Sequence, residues 1–72
     1  MRRALLYTDE EGNWIAEVPS LPGCGSEGKS RDEALANVRE AIEVYIEALE
    51  QDGLPVPPEY EHYELVAVSA TP

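Results

Sequence analysis

Seventy-two residues with one cysteine and one histidine exclude an intramolecular disulfide and leave too few sulfur and nitrogen ligands for a structural zinc site. Fifteen acidic side chains against five basic ones, a formal charge of −10, repel phosphate and argue against direct nucleic-acid binding. No apolar run approaches the roughly 20 residues of a membrane span, and the one after Met1-Arg2-Arg3 is too short for a signal peptide.

What remains is one small domain over residues 1–72, with the cytoplasm as the default compartment and no cofactor. A chain of this size buries only about 60% of the surface its unfolded form exposes. Its stability therefore has to come from close packing or from self-association, and a homodimer is expected. The electrostatic complement of an acidic surface is a small basic protein.

Residues 2–8 alternate as a strand, with Ala4 and Leu6 on one face and Leu5 and Tyr7 on the other. Asp9-Glu10-Glu11-Gly12-Asn13 is an acidic turn, with Gly12 free to take a positive φ. Trp14, Ala16 and Val18 alternate with Ile15 and Glu17 in a second strand, which completes a hairpin. Pro19 ends that ladder because it has no N–H to donate. Ser20-Leu21-Pro22-Gly23 is then a corner, with Pro22-Gly23 suited to the centre of a type II turn. Leu21 is expected to plug the core. Residues 24–29 read as a short third strand, in which Gly25 and Gly28 mark either a bulge or the close approach of another backbone. Cys24 reads as a small core residue.

Ser30-Arg31-Asp32-Glu33 is a capping box, with Ser30 accepting from the Glu33 N–H and Glu33 reaching back to the Ser30 N–H. The helix runs from residue 31 to about 52, stopped by Gly53 with Pro55 beyond. Leu35, Val38, Ile42, Tyr45, Ile46 and Leu49 share its buried face. Glu40, Glu43, Glu47 and Glu50 form a ridge on the far side, where like charges three and four apart repel. That ridge is either a solvated face or a docking surface for a basic protein. Between the two faces, Asn37, Ala41, Val44 and Ala48 would let another chain come close. Residues 54–60 are stiffened by proline and return across the domain. Residues 63–69 read as an interior strand, apolar on both faces, and His62 as a surface residue.

The order is β-β-β-α-β, an α+β fold. A last strand parallel to the first gives a four-stranded mixed sheet in the order 3-2-1-4, with one long helix on one face. Gly23-Cys24-Gly25-Ser26-Glu27-Gly28 spells a dinucleotide-binding G-x-G-x-x-G, but it precedes a short strand and an acidic helix start that would repel phosphate. A metal-dependent nuclease needs carboxylates that converge from different elements. Asp9, Glu10 and Glu11 share one turn, and the helix acids face outward. Glu17 and Glu64 are the two strand acids, whose meeting is not readable from sequence.

Three segments taken together resemble the HicB-like antitoxin domain. They are the corner Val18-Pro19-Ser20-Leu21-Pro22-Gly23-Cys24, the helix start Gly28-Lys29-Ser30-Arg31-Asp32-Glu33-Ala34, and the helix exit Gly53-Leu54-Pro55-Val56-Pro57. The resemblance spans roughly residues 4 to 58. It implies a partial ribonuclease-H-like fold and a non-catalytic protein that binds and neutralises a small basic HicA-like toxin cleaving messenger RNA. Many members carry a C-terminal DNA-binding domain. This chain stops at Pro72, so operator binding is not expected of it.

The residues expected to face a partner are Glu40, Glu43, Glu47 and Glu50 on the helix, with Asp9, Glu10 and Glu11 in the turn. The alternatives are a solitary structural or regulatory homodimer and a residual metal-dependent nuclease.

Overall fold

In the computed structural model, which describes residues 1–70, the chain forms three strands and one helix. They are β1 (Leu5–Thr8), β2 (Trp14–Glu17), β3 (Gly25–Gly28) and α1 (Arg31–Gln51). The sheet is antiparallel throughout, in the order β1-β2-β3, with Leu6 opposite Ala16 and Ala16 opposite Ser26. The hairpin turn closes through the Asp9 N–H donating to the Asn13 carbonyl at 3.0 Å, with Gly12 at φ 84°.

The corner folds as its residues dictate. The Cys24 N–H donates to the Leu21 carbonyl at 2.9 Å across Pro22-Gly23, with Gly23 at φ 80°, which is a type II turn. A second turn lies just before it, where the Leu21 N–H donates to Val18 at 3.0 Å. Leu21 is thereby driven into the core and is fully buried, together with Ala16, Val18, Cys24, Ala34 and Val38.

The caps of α1 are local chemistry. Ser30 Oγ accepts from the Glu33 N–H at 3.1 Å, whereas the return bond of Glu33 goes to the Lys29 N–H at 3.2 Å and not to that of Ser30. At the other end Gly53 (φ 68°) and Leu54 donate to the carbonyls of Glu50 and Leu49, a Schellman stop. The helix lies over β3 and then β2, displaced from β1. Gly28 makes this possible: a Cβ there would stand 2.6 Å from the Ala34 nitrogen, closer than any real contact. Of the face expected to be buried, Val38 is buried, while Leu35, Ile42, Tyr45, Ile46 and Leu49 are only half-buried. Ala34, small enough to sit against Gly28, goes deepest.

The fourth strand expected over residues 63–69 is not formed. Residues 54–70 carry no helix or strand, so the described residues form a three-stranded antiparallel sheet in place of a mixed 3-2-1-4 sheet. The order is β-β-β-α, short of the ribonuclease-H-like pattern. An interior strand with apolar residues on both faces is stable only when both faces are covered. Here Leu65, Val66 and Val68 are 89%, 65% and 80% exposed.

Candidate functional site

Glu40, Glu43, Glu47 and Glu50 all project from the exposed side of α1, as their spacing requires. Among the described residues no Lys or Arg stands within ion-pairing distance of these four carboxylates; the one close acid–base contact is His62 with Glu64, at 2.8 Å on the surface. Val44, 60% exposed, lies in the same stretch of helix and adds an apolar contact to the acidic face.

The turn acids stand apart from that ridge. Trp14, which follows the turn, pairs with Gly28, and Gly28 abuts the first turn of α1. The turn therefore sits at the start of the helix, while the ridge occupies its middle and end. Asp9 also holds the turn together. Its Oδ1 accepts from the Glu11 and Asn13 N–H groups at 2.9 Å, and Oδ2 accepts from Asn13 Nδ2 at 3.2 Å. The Asn13 side chain is the main reason its carboxyl is held below the usual aspartate range, helped by the main-chain donors. Glu10 and Glu11 are exposed. The pattern of Asp9 four residues before Asn13 was a readable sign that this acid builds the turn.

Two grooves flank α1, and they differ in chemistry. On the β3 side a groove of about 460 Å³ is lined by Cys24, Ser26, Asn37, Glu40, Val44 and Tyr45, among others. Asn37 Nδ2 donates to the Glu27 carbonyl at 2.8 Å and the Tyr45 hydroxyl to the Pro22 carbonyl at 2.8 Å, tying helix to sheet there. On the β1 side a groove of about 630 Å³ has an apolar floor of Ala4, Leu6, Leu35, Val38 and Ile42. Its rim carries Arg2, Arg31 and Arg39, three of the five cations of the chain, with Glu43.

A cluster that periodicity did not reveal straps the return segment to the start of β1. Arg2 donates to Ser20 Oγ at 3.0 Å and to the Pro57 carbonyl. The Arg3 N–H donates to Glu59 at 2.5 Å, and the Arg3 guanidinium sits 5.1 Å from the centre of the Tyr63 ring. The Tyr63 hydroxyl donates to the same Glu59 carboxylate. That bond, above the donations from Arg3 and Tyr60, pulls the pKa of Glu59 down to about 2. The adjacent Arg2-Arg3 pair and the acidic, tyrosine-bearing stretch after Pro57-Pro58 were the only cues in the sequence.

Among the described residues no catalytic set is assembled. Burial pushes the Cys24 thiol up, away from nucleophile behaviour. Of the two strand acids expected, Glu17 accepts from the Tyr7 hydroxyl at 2.6 Å and Glu64 contacts His62. Among the described residues no three His, Cys, Asp or Glu side chains stand where they could hold a metal ion. At the start of α1, beside the G-x-G-x-x-G spelling, the Glu33 carboxylate accepts from the Lys29 N–H at 3.2 Å, and its charge repels a phosphate. No helix among them is long and apolar enough to cross a membrane.

Comparison with known proteins gives a coherent picture. A UPF0150 protein of Thermoplasma acidophilum is 43% identical over 53 residues, covering 74% of this chain and 77% of that one. A UPF0150 protein of Helicobacter pylori is 53% identical over 51 residues, 71% and 69% of the two chains. One from Archaeoglobus fulgidus is 54% identical over 43 residues, 60% of this chain and 62% of its own length. No solved structure gives a significant match. The family model described as the HicB-like antitoxin of bacterial toxin–antitoxin systems matches residues 3–70, a span that includes the corner, the capped helix and the return segment. The chain belongs to the HicB-like antitoxin family.

Proposed function

We propose that this chain is the antitoxin half of a toxin–antitoxin pair, a non-catalytic module that binds and neutralises a small basic HicA-like toxin cleaving messenger RNA. Residues 1–72 act as one domain, in the cytoplasm, and the working form is a homodimer. Family membership points to a toxin partner and to a non-enzymatic role. The observation that carries the choice of surface is the exposed, unneutralised row Glu40, Glu43, Glu47 and Glu50 beside Val44. A basic partner removes the repulsion within that row and gains an apolar contact at its edge. Glu10 and Glu11 extend the acidic surface at the other end of the molecule, with Asp9 as their scaffold.

The test is to mix the chain with the small basic ribonuclease encoded beside it and to follow RNA cleavage. Stoichiometric protein suppresses cleavage, and the suppression weakens with salt. Reversing the ridge to lysine at Glu40, Glu43, Glu47 and Glu50 abolishes it. Cleavage that continues at stoichiometric excess of the natural chain overturns the reading. Loss of neither binding nor suppression in the reversed variant moves the contact elsewhere. If no basic partner is encoded nearby, the exposed apolar segment at residues 65–68 favours the second reading, a solitary regulatory homodimer.

A further inference from the structure

We infer that the groove between β1 and α1 is the seat of residues 64–70 of a second copy of this chain, so that two copies exchange their C-terminal segments. The inference rests on the self-association in the proposed function and not on its toxin.

The receiving side is an open sheet edge. The Asp9–Asn13 bond sets the alternation along the hairpin, so the main-chain groups of Leu5 and Tyr7 turn towards β2. Those of Leu6 and Thr8 then point away from the sheet, with no strand to receive them. Beside that edge lies the apolar floor of the groove, on the face of β1 that looks at α1. An edge and floor of this kind are a template for one added strand.

The donated segment has the matching character. Leu65, Val66, Ala67 and Val68 form a β-prone run, and its three large side chains are the exposed ones already noted. Glu61 and Glu64 precede that run, and Arg2, Arg31 and Arg39 rim the groove. The charges are complementary for this segment, whereas a basic partner is repelled from the same rim.

The occupant is a second copy because of how the segment is held. Tyr63 lies against the Arg3 guanidinium and lines a small pocket with Leu5 and Pro19, and Leu5 lies on the face of β1 opposite the groove. The strap fixes the base of the segment beside β1, and yet Leu65, Val66 and Val68 stay exposed, so the segment is not seated in the groove of its own chain. The chain is extended, with a long axis of 43 Å and a radius of gyration of 14.1 Å against about 11 Å for a compact chain of this length, and the 21-residue helix and the exposed C-terminal segment both contribute. Reciprocal insertion satisfies both grooves by one two-fold operation.

Light scattering on the natural chain, followed by isotope-filtered NOE spectroscopy on mixed labelled and unlabelled copies, tests this. The expected result is a mass of two chains, with intermolecular NOEs from the methyls of Val66 and Val68 to those of Leu6, Leu35 and Ile42. The variant Val66→Asp/Val68→Asp, altered only at exposed positions, should keep its helical circular dichroism. Its dimer dissociation constant should rise by at least about 100-fold, the effect of losing two buried side chains. A one-chain mass for the natural sequence refutes self-association itself. A dimer lacking these NOEs refutes the exchange alone. The same NOEs confined within one copy put the segment in its own groove and also overturn it.

Discussion

The two flanks of α1 are built on opposite terms. On the β3 side, glycine brings helix and sheet into backbone contact, and hydrogen bonds from Asn37 and Tyr45 lock them. On the β1 side the same helix stands off, and Leu35 and Ile42 are left half-buried over an open groove. Both flanks have apolar residues at helical spacing, so hydrophobic patterning alone does not decide which side closes. Closure follows the smallest residues: Gly28 and Ala34 permit an approach that Leu6 and Leu35 forbid. The β3 flank, tied by glycine and two hydrogen bonds, secures the fold, and the β1 flank carries the wider groove.

The largest expected effect tests the closed flank. Gly28→Ala forces a methyl to within 2.6 Å of the Ala34 nitrogen, and neither backbone can move aside cheaply. The cost should be about 3 kcal/mol, a fall in Tm of roughly 12 °C or more for a chain this small. Thermal unfolding checks it, and a variant that melts like the parent would mean that the close approach is absent in solution. Leu35→Ala on the open flank should cost only about 1 kcal/mol, because the side chain is half-exposed and its removal leaves no sealed cavity. Denaturant unfolding at concentrations where the mass is that of one chain measures this. If Leu35→Ala costs as much as Gly28→Ala, the asymmetry between the flanks does not exist.

A smaller effect sharpens how the open flank is kept open. The pKa of Glu59 is lowered to about 2 in the folded chain, from an ordinary 4.5. Its contribution to the strap is therefore fully present above about pH 4.5 and is lost as the pH falls from there towards 2. The Arg3 amide and the Tyr63 ring should report release by NMR in that window, while the core signals of Leu21 and Val38 stay in place. Tyr63→Phe removes the leading cause of the shift, so release should begin closer to pH 4.5. An unchanged midpoint would show that the tyrosine hydroxyl does not hold the carboxylate.

Much of this architecture was legible in the residues because its determinants are local. Pro19, Pro22-Gly23, the Ser30 cap and Gly53 each act within a few residues, and the corner and both helix ends fall where they require. The helix face was read less well. Periodicity weights large side chains, and so it missed Ala34, whose burial depends on a glycine six residues away in another element. The final strand was misplaced for a related reason. Residues 63–69 do have a strand-like composition, but composition does not say which edge accepts them or whether that edge belongs to the same chain. At the candidate site, exposure of the four helix glutamates followed from 100° per residue. The separation of the turn acids from that ridge did not, because it depends on the pairing of Trp14 with Gly28.

The strap between Arg2-Arg3 and residues 57–63 also bears on the order of folding. Its hydrogen bonds join residues 55 to 57 positions apart, while the hairpin and the helix caps are closed by neighbours. Ordering so long a loop costs more chain entropy than any other closure in the molecule, and few buried contacts offset it. The strap is thus the last part to form and the first to open. Its opening leaves the hairpin, corner and helix intact, so the C-terminal segment can come free of its anchorage while the rest of the molecule stays native.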